Sequence, residues 1–321
     1  MRAIMVTRFG APDVLEPVEL PTPEPGRGEI RVAVGVVNVV WMDARIRAGK
    51  GPAVFAVAPP YVPGSGVAGT VDAIGDDVDE GWLGATVVTR AGEAYGGGYA
   101  DTVVGRPETS FPLPAGMDLR SAMAVMDDGS TALGLLEVTP VRAAERVLVA
   151  PGVGGLGNLL VQLLVRTGAT VIAAVRGADK LSAARALGVA AVDYSAAGWS
   201  DAVRSITGGH GLDVVFDGVG GSVGVAAANL LVDGGRFSGY GMSSGSEAAL
   251  SGTDRRVRVL GMSQLPGLWT DGPRRVRHVL DETAAGRLAP IIGRTYPLGA
   301  AAEAHADIEA RRFIGKSLLL V

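Results

Sequence analysis

Val147-Leu148-Val149-Ala150-Pro151-Gly152-Val153-Gly154-Gly155-Leu156-Gly157-Asn158-Leu159-Leu160-Val161-Gln162-Leu163-Leu164 is the stretch whose reading decides the fold. It opens as a run of branched apolar residues, the pattern of a buried strand. It then breaks into glycines and resumes with apolar residues at helical spacing. Gly152, Gly154 and Gly157 fit G-x-G-x-x-G. In that pattern the first glycine allows a tight turn and the second lets a pyrophosphate approach the backbone. The third lets the new helix pack close to the strand. The helix start adds free N–H groups and a partial positive charge. Strand, turn and helix in this order predict a nucleotide site, with Gly155 and Leu156 inside the turn.

Downstream of that turn the pattern keeps alternating. Strands are expected at 170–175, 190–193, 213–217, 235–238 and 257–260. Helices are expected at 179–187, 199–206 and 222–231. Such alternation implies an α/β domain with a doubly wound parallel sheet covered on both faces. Near-continuous apolar strands such as Val214-Val215-Phe216 agree with it. The Gly/Ser cluster 239–245 follows a strand end, where ligands of open parallel sheets bind.

Upstream, residues 1–120 read as β-rich, with strands at 2–6, 30–40, 67–74, 86–89 and 101–104. The linker Pro21-Thr22-Pro23-Glu24-Pro25-Gly26 cannot be helical. Residues 43–48 fit a short helical turn, and 119–126 and 131–136 fit two helices. The tail, with a helix at 273–285, a helix at 300–311 and a strand at 317–321, resumes the first region's style and is expected to rejoin it.

Composition narrows the function classes. The 321 residues are 48% hydrophobic, with 48 glycines, no cysteine and a net charge of -4. That length predicts two domains. The charge offers no electrostatic footprint for nucleic acid. Without cysteine there are no disulfides and no thiolate metal ligands. The most apolar stretch, 32–42, is about half the length of a membrane span. The start lacks the apolar run of a signal peptide, so a cytoplasmic protein is the expectation.

The second strand selects the nucleotide. A free ribose 2′-OH usually meets an acid at that strand's end. Here the end carries Arg176, with Lys180 four residues on. A guanidinium gives a phosphate a forked pair of hydrogen bonds, and a lysine adds a point charge. NADPH is therefore expected over NADH. Asp179 lies past the turn and reads as a helix cap. The plain alternative is that Arg176 and Lys180 only start a solvated helix.

At this point the chain resembles the medium-chain dehydrogenase/reductase superfamily, in its zinc-free quinone oxidoreductase (zeta-crystallin-like) branch. The residues that carry the likeness are Met1-Arg2-Ala3-Ile4, Pro23-Glu24-Pro25-Gly26, Val62-Pro63-Gly64-Ser65-Gly66, Gly98-Tyr99-Ala100 and Asp128-Gly129-Ser130-Thr131-Ala132. Val192-Asp193-Tyr194, Gly293-Arg294-Thr295-Tyr296-Pro297-Leu298, Ala302-Glu303-Ala304-His305 and Gly315-Lys316 complete it. The resemblance implies a GroES-like catalytic domain from residues 1–122 and 266–321, and a Rossmann domain from 123–265, with NADPH in the cleft. It implies that Thr131 lies near the nicotinamide and that Arg176, Lys180 and Tyr194 surround the 2′-phosphate. Gly239, Tyr240, Gly241 and Ser243 would line the nicotinamide side. It also implies a homodimer, through the edge near 257–260.

The chain departs from that family in three places. An Asn usually contacts the nicotinamide side; matching Asp43 and Arg47 puts Val40 there, with Asn38 as the other register. The tyrosine that some enoyl reductases use as proton donor is matched by Arg45, or by Asp43. The Glu common after Pro-Gly is replaced by Gly66.

Zinc is disfavoured independently, because His210, His278 and His305 are scattered and no cysteine exists. Without a Lewis acid, reduction of an activated C=C is easier than that of a plain ketone. Hydride adds to the β-carbon of an enone or quinone while negative charge grows on the carbonyl oxygen. Arg45 is the candidate partner for that oxygen, and Tyr240 and Tyr61 are candidate donors. Trp41, Met42 and Tyr61 suggest an apolar, aromatic-tolerant pocket, although each also fits ordinary core. The expected function is NADPH-dependent, zinc-independent reduction of an α,β-unsaturated carbonyl or quinone. Its rivals are a tailoring enoyl reductase of a secondary-metabolite pathway and an NADPH-binding protein with little catalysis.

Overall fold

The computed structural model describes residues 1–55, 57–92, 96–250, 256–261 and 271–321. Two compact units emerge, Met1–Asp127 with Val276–Val321, and Asp128–Arg275. The boundary expected between 265 and 266 lies outside the described residues.

In chain order the first unit contributes β1 (Arg2–Val6), β2 (Leu15–Glu19), β3 (Ile30–Val39), α1 (Trp41–Arg47), β4 (Gly66–Ile74), β5 (Thr86–Arg90), β6 (Thr102–Gly105) and β7 (Phe111–Pro112). Helix α2 (Leu119–Val138) follows. The second unit then runs β8 (Arg146–Ala150), α3 (Gly155–Arg166), β9 (Thr170–Val175), α4 (Ala178–Ala186), β10 (Ala190–Asp193) and α5 (Trp199–Ile206). It continues through β11 (Leu212–Asp217), α6 (Gly221–Ala228), β12 (Leu231–Gly239) and β13 (Arg258–Leu260). After α7 (Gly272–Ala284) come β14 (Ile292–Pro297), α8 (Ala301–Ala310) and β15 (Lys316–Leu320).

The second unit is a six-stranded sheet of order β10-β9-β8-β11-β12-β13. Every neighbouring pair is parallel. Chain direction across the sheet reverses between β8 and β11, and the carboxyl ends of those strands border the crevice where ligands of such sheets bind. Val147, Leu148, Val149 and Ala150 are fully buried, as are Val214, Val215 and Phe216. Helices on both faces explain why these strands are apolar throughout.

The first unit is a seven-stranded sheet of order β14-β15-β3-β4-β5-β7, with β6 also on β3 and a separate β1-β2 ribbon. The tail does rejoin the start, since β15 pairs antiparallel with β3. Among the described residues no helix is long and apolar enough to cross a membrane.

Three expectations need correction. The helices at 119–126 and 131–136 are one helix, α2. Asp118 starts it by accepting the N–H groups of Arg120 and Ser121. Asp127-Asp128-Gly129 reads as a break, but Met123, Met126, Ala132 and Leu135 are buried on either side of it. That burial offsets the ~1 kcal/mol cost of a mid-helix glycine. The helix expected at 222–231 stops at Ala228, because Leu231 already pairs with Leu212 in the sheet. Strand β2 was not expected, since Pro17 and two glutamates hide its pairing with β1.

A buried polar knot ties α1 and α8 to the first unit's core. Asp43, Arg47, Tyr99 and His305 are each no more than 1% exposed. The Tyr99 hydroxyl lies 3.2 Å from Asp43 Oδ2 and 2.9 Å from His305 Nε2. Arg47 donates to the Gly10 carbonyl and to Glu309. Burial, and then Arg47, hold the His305 imidazole down to about 3 from an ordinary 6.5. It is neutral when folded, whereas the unfolded chain takes up a proton below pH 6.5. Its stabilising share is complete above pH 6.5 and is lost as pH falls toward about 3. Denaturant titrations between pH 7 and pH 4 should show wild type losing stability more steeply than His305→Gln. Parallel acid limbs would contradict a neutral buried imidazole.

Candidate functional site

The glycine turn between β8 and α3 has one open position. A Cβ on Gly152 would come within 2.5 Å of the Ala173 Cβ, and one on Gly157 within 1.8 Å of the Pro151 carbonyl oxygen. Both glycines are therefore demanded by the fold. Gly154 is different. Its φ of -73° and ψ of 178° suit any residue, and a Cβ there would meet only Pro151 Cγ, at 3.6 Å. No side chain caps α3 at Gly154. The first-turn N–H groups of Gly155, Leu156 and Gly157 carry the positive end of the helix dipole.

Arg176 is exposed at the end of β9, and Lys180 is half-buried in the first turn of α4. Gly177 makes the turn between them at a φ of 88°, a left-handed value that favours glycine. Tyr194 is half-buried one residue beyond β10, and its N–H bonds the Val175 carbonyl at 2.8 Å. Arg176, Lys180 and Tyr194 thus belong to adjacent strand ends. Sequence reasoning missed their neighbour Asp193, which pairs with Val175. Burial opposes its charge, but hydrogen bonds from Ser195 and the Gly177 N–H, with the charge of Arg176, hold its carboxyl below the usual range.

A third group gathers where β11 and β12 end. The Tyr240 N–H donates to the Asp217 carbonyl and the Ser243 N–H to the Gly218 carbonyl. The Tyr240 ring covers Gly218, where a Cβ would lie 2.5 Å from Cε2. A Cβ on Gly241 would meet the Gly218 carbonyl oxygen at 2.9 Å. The Tyr240 hydroxyl points to the Ala150 carbonyl, 3.4 Å away, at the start of the glycine turn. Burial, then the charges of Asp217 and Asp128, push this phenol well above its ordinary value, which weakens it as a proton donor. Asp217 itself is pushed up to about 6 by burial, against the N–H groups of Gly220 and Val219 that it accepts. The signal for Asp217 was present as an acid closing a strand before Gly218-Val219-Gly220-Gly221. Thr131 is half-buried in α2.

In the first unit, α1 has two faces. Asp43 and Arg47 turn into the polar knot, and the Asp43 carboxylate also accepts the Val40 N–H at 2.9 Å. Trp41 and Arg45, also four residues apart, stack on each other, with the guanidinium carbon 5.3 Å from the ring centroid. Met42 is half-buried beside them. Tyr61 belongs to the other face. Its backbone pairs with Val6, and its buried hydroxyl has no hydrogen-bond partner among the described residues. Burial, then Asp43, raise that phenol, while Arg47 lowers it. Asn38 is buried and bonds Asp127.

Among the described residues, donors for zinc do not assemble. The chain has no cysteine, His210 and His278 are exposed, and His305 is committed to Tyr99. Among the described residues no three His, Asp or Glu side chains group around a metal position.

Comparison with known proteins gives a consistent answer. Residues 26–115 match the alcohol dehydrogenase GroES-like domain, and residues 187–319 match the zinc-binding dehydrogenase family. A 2-haloacrylate reductase from Burkholderia sp is 30% identical, over 99% of this chain and 98% of its own. A quinone oxidoreductase from Pseudomonas aeruginosa is 29% identical, over 99% of each. Escherichia coli quinone oxidoreductase, solved with NADPH, superimposes with a TM-score of 0.89 at 26% identity over the whole of both chains. A mycobacterial protein, also solved with NADPH, gives 0.88 at 31% identity, again over both whole chains. The chain belongs to the quinone oxidoreductase branch of the medium-chain dehydrogenase/reductase superfamily.

Proposed function

We propose that this chain is an NADPH-dependent oxidoreductase that transfers hydride to an α,β-unsaturated carbonyl or a quinone, without zinc. The observation that carries the nucleotide part is Gly154. The fold requires its two partner glycines, yet among the described residues nothing excludes a side chain at 154. A ligand pressed against the backbone there accounts for the glycine. Arg176 and Lys180 at the adjacent strand end supply cations for a 2′-phosphate, with no acid closing β9. The relatives solved with NADPH support the same choice.

NADPH bound here would supply the hydride. The chain's own part is to orient and to balance charge. The α3 N-terminus and the glycine turn would hold the pyrophosphate. Tyr240, Gly241 and Ser243, with Thr131, would bound the nicotinamide side. Trp41 and Met42 would line the substrate side, and Arg45 would stand against the carbonyl oxygen as negative charge grows on it. The raised Tyr240 and Tyr61 phenols are poor acids, so protonation of the substrate carbon falls to solvent in this reading. Reduction of an acrylate, named for one relative, and of quinones, named for others, share this chemistry of a conjugated acceptor. The absent thiolates and scattered histidines support zinc independence. The reading includes a cytoplasmic homodimer that meets at the edge strand β13.

Arg176→Ala should weaken NADPH binding by ~10-fold or more while changing NADH binding less than ~2-fold. Equal losses for both dinucleotides would show that Arg176 does not read the 2′-phosphate. Gly154→Ala should keep the wild-type melting temperature yet raise the Kd for NADPH at least ~10-fold, whereas Gly157→Ala should lower the melting temperature. The two glycines behaving alike would remove the argument from Gly154. With NADPH and a panel of enones and quinones, turnover should persist undiminished after prolonged dialysis against a chelator. A rate restored only by added zinc would refute the metal-free mechanism.

A further inference from the structure

The turn that carries Arg176 and Lys180 has little packing to hold it. It runs from the end of β9 into α4 through Gly177, at a φ of 88°. A Cβ on Gly177 would meet nothing within 4 Å, so no neighbour presses on the turn from that side. No side chain caps α4 at Gly177, and Ala184 is the one buried residue of the helix. The Leu181 N–H bonds the Gly177 carbonyl at 3.1 Å, which fixes the helix side of the turn. The strand side, where Arg176 stands, needs a tie of its own, because glycine loses more backbone freedom than any other residue on being fixed.

Asp193 supplies that tie from the neighbouring strand. The sheet register sets it beside Val175, the last residue of β9. Its Oδ1 accepts the Ser195 N–H at 2.9 Å and the Ser195 hydroxyl at 2.6 Å, which orients the carboxylate. The same carboxylate accepts the Gly177 N–H. These donors are neutral, and Arg176 acts on Asp193 by charge alone. The bonding therefore does not consume the N–H groups of the guanidinium. A carboxylate this close to Arg176 would repel a phosphate bound there. That cost is offset by what its bond to Gly177 holds in place.

We propose that Asp193 is a positioning residue for recognition of the 2′-phosphate. By holding the Gly177 N–H it fixes the turn on which Arg176 and Lys180 stand. Both cations then meet one phosphate without the cost of ordering the turn on binding. The part of Asp193 that matters is its acceptor oxygen, while its charge works against the ligand. This inference rests on the reading of Arg176 as the group that recognises the 2′-phosphate, and its test separates the two.

Calorimetry would titrate 2′,5′-ADP, which carries that phosphate, and 5′-AMP, which lacks it, into wild type, Asp193→Ala and Asp193→Asn. Asparagine keeps an acceptor oxygen and loses the charge, whereas alanine loses both. Wild type should bind 2′,5′-ADP at least ~10-fold more tightly than 5′-AMP. Asp193→Ala should cut that preference to less than ~3-fold while changing 5′-AMP affinity less than ~2-fold, a split that general loosening of the fold would not give. Asp193→Asn should keep at least about half of the wild-type preference, or raise it. Asp193→Ser, whose shorter side chain withdraws the acceptor, should show the loss if Asp193→Ala fails to fold. A preference that survives without the acceptor, or rises in every variant as relief of repulsion alone would make it, overturns the role and leaves Arg176 as the reader. An equal loss in Asp193→Asn and Asp193→Ala overturns it too, since the charge would then be what matters. No preference in wild type removes the reading of Arg176, and this inference with it.

Discussion

The distance between a helix and a carbonyl governs the second unit. Gly157 approaches the Pro151 carbonyl so closely that a single added carbon would overlap it. Only this approach lets α3 start directly over the end of β8, with its first-turn N–H groups facing the crevice rather than the sheet. The other parts of that crevice are arranged around the same point. Tyr240 reaches back to the Ala150 carbonyl, and Asp217 holds the start of α6 on the neighbouring strand. A dinucleotide-binding surface thus follows from packing before any ligand is considered.

The first unit depends on a different kind of constraint. Its buried charges are costly unless paired, and they are paired across elements far apart in the chain. Asp43 and Arg47 come from α1, Tyr99 from a loop, and His305 and Glu309 from α8. Removing one partner would strand the others in a low-dielectric interior. The knot is therefore a specificity device for the fold as much as a source of stability. It explains why the final helix, some 260 residues from the first, is needed to complete this unit.

Much of this was legible in the sequence. Strands β9 and β10 and helix α5 appear at the residues expected, because short segments of one periodicity with glycines nearby have few alternative readings. The glycine turn was legible for the same reason. Element ends set by pairing were less so. Within residues 222–231 the one mark of where α6 yields to β12 is Asn229, its C-cap residue; the alanines and valines suit either state, and the sheet register decides. Polar residues near Gly129 suggested a break in α2 that burial of its neighbours overrides. In the candidate site, residue types were readable while partnerships were not. Asp193 beside Arg176, and Asp127 bonded to Asn38, join positions that no local spacing connects.

The two faces of α1 have a consequence for how this chain can change. The anchoring contacts of the helix are made by Asp43 and Arg47, while Trp41 and Arg45 take no part in them. Mutational drift on the second pair therefore leaves the first intact. Such a division separates the part of the helix that selection must keep from the part it is free to explore. If Trp41 and Arg45 face the substrate, as proposed above, new substrate ranges would arise by exchange of two side chains on a scaffold that does not have to be refolded to receive them.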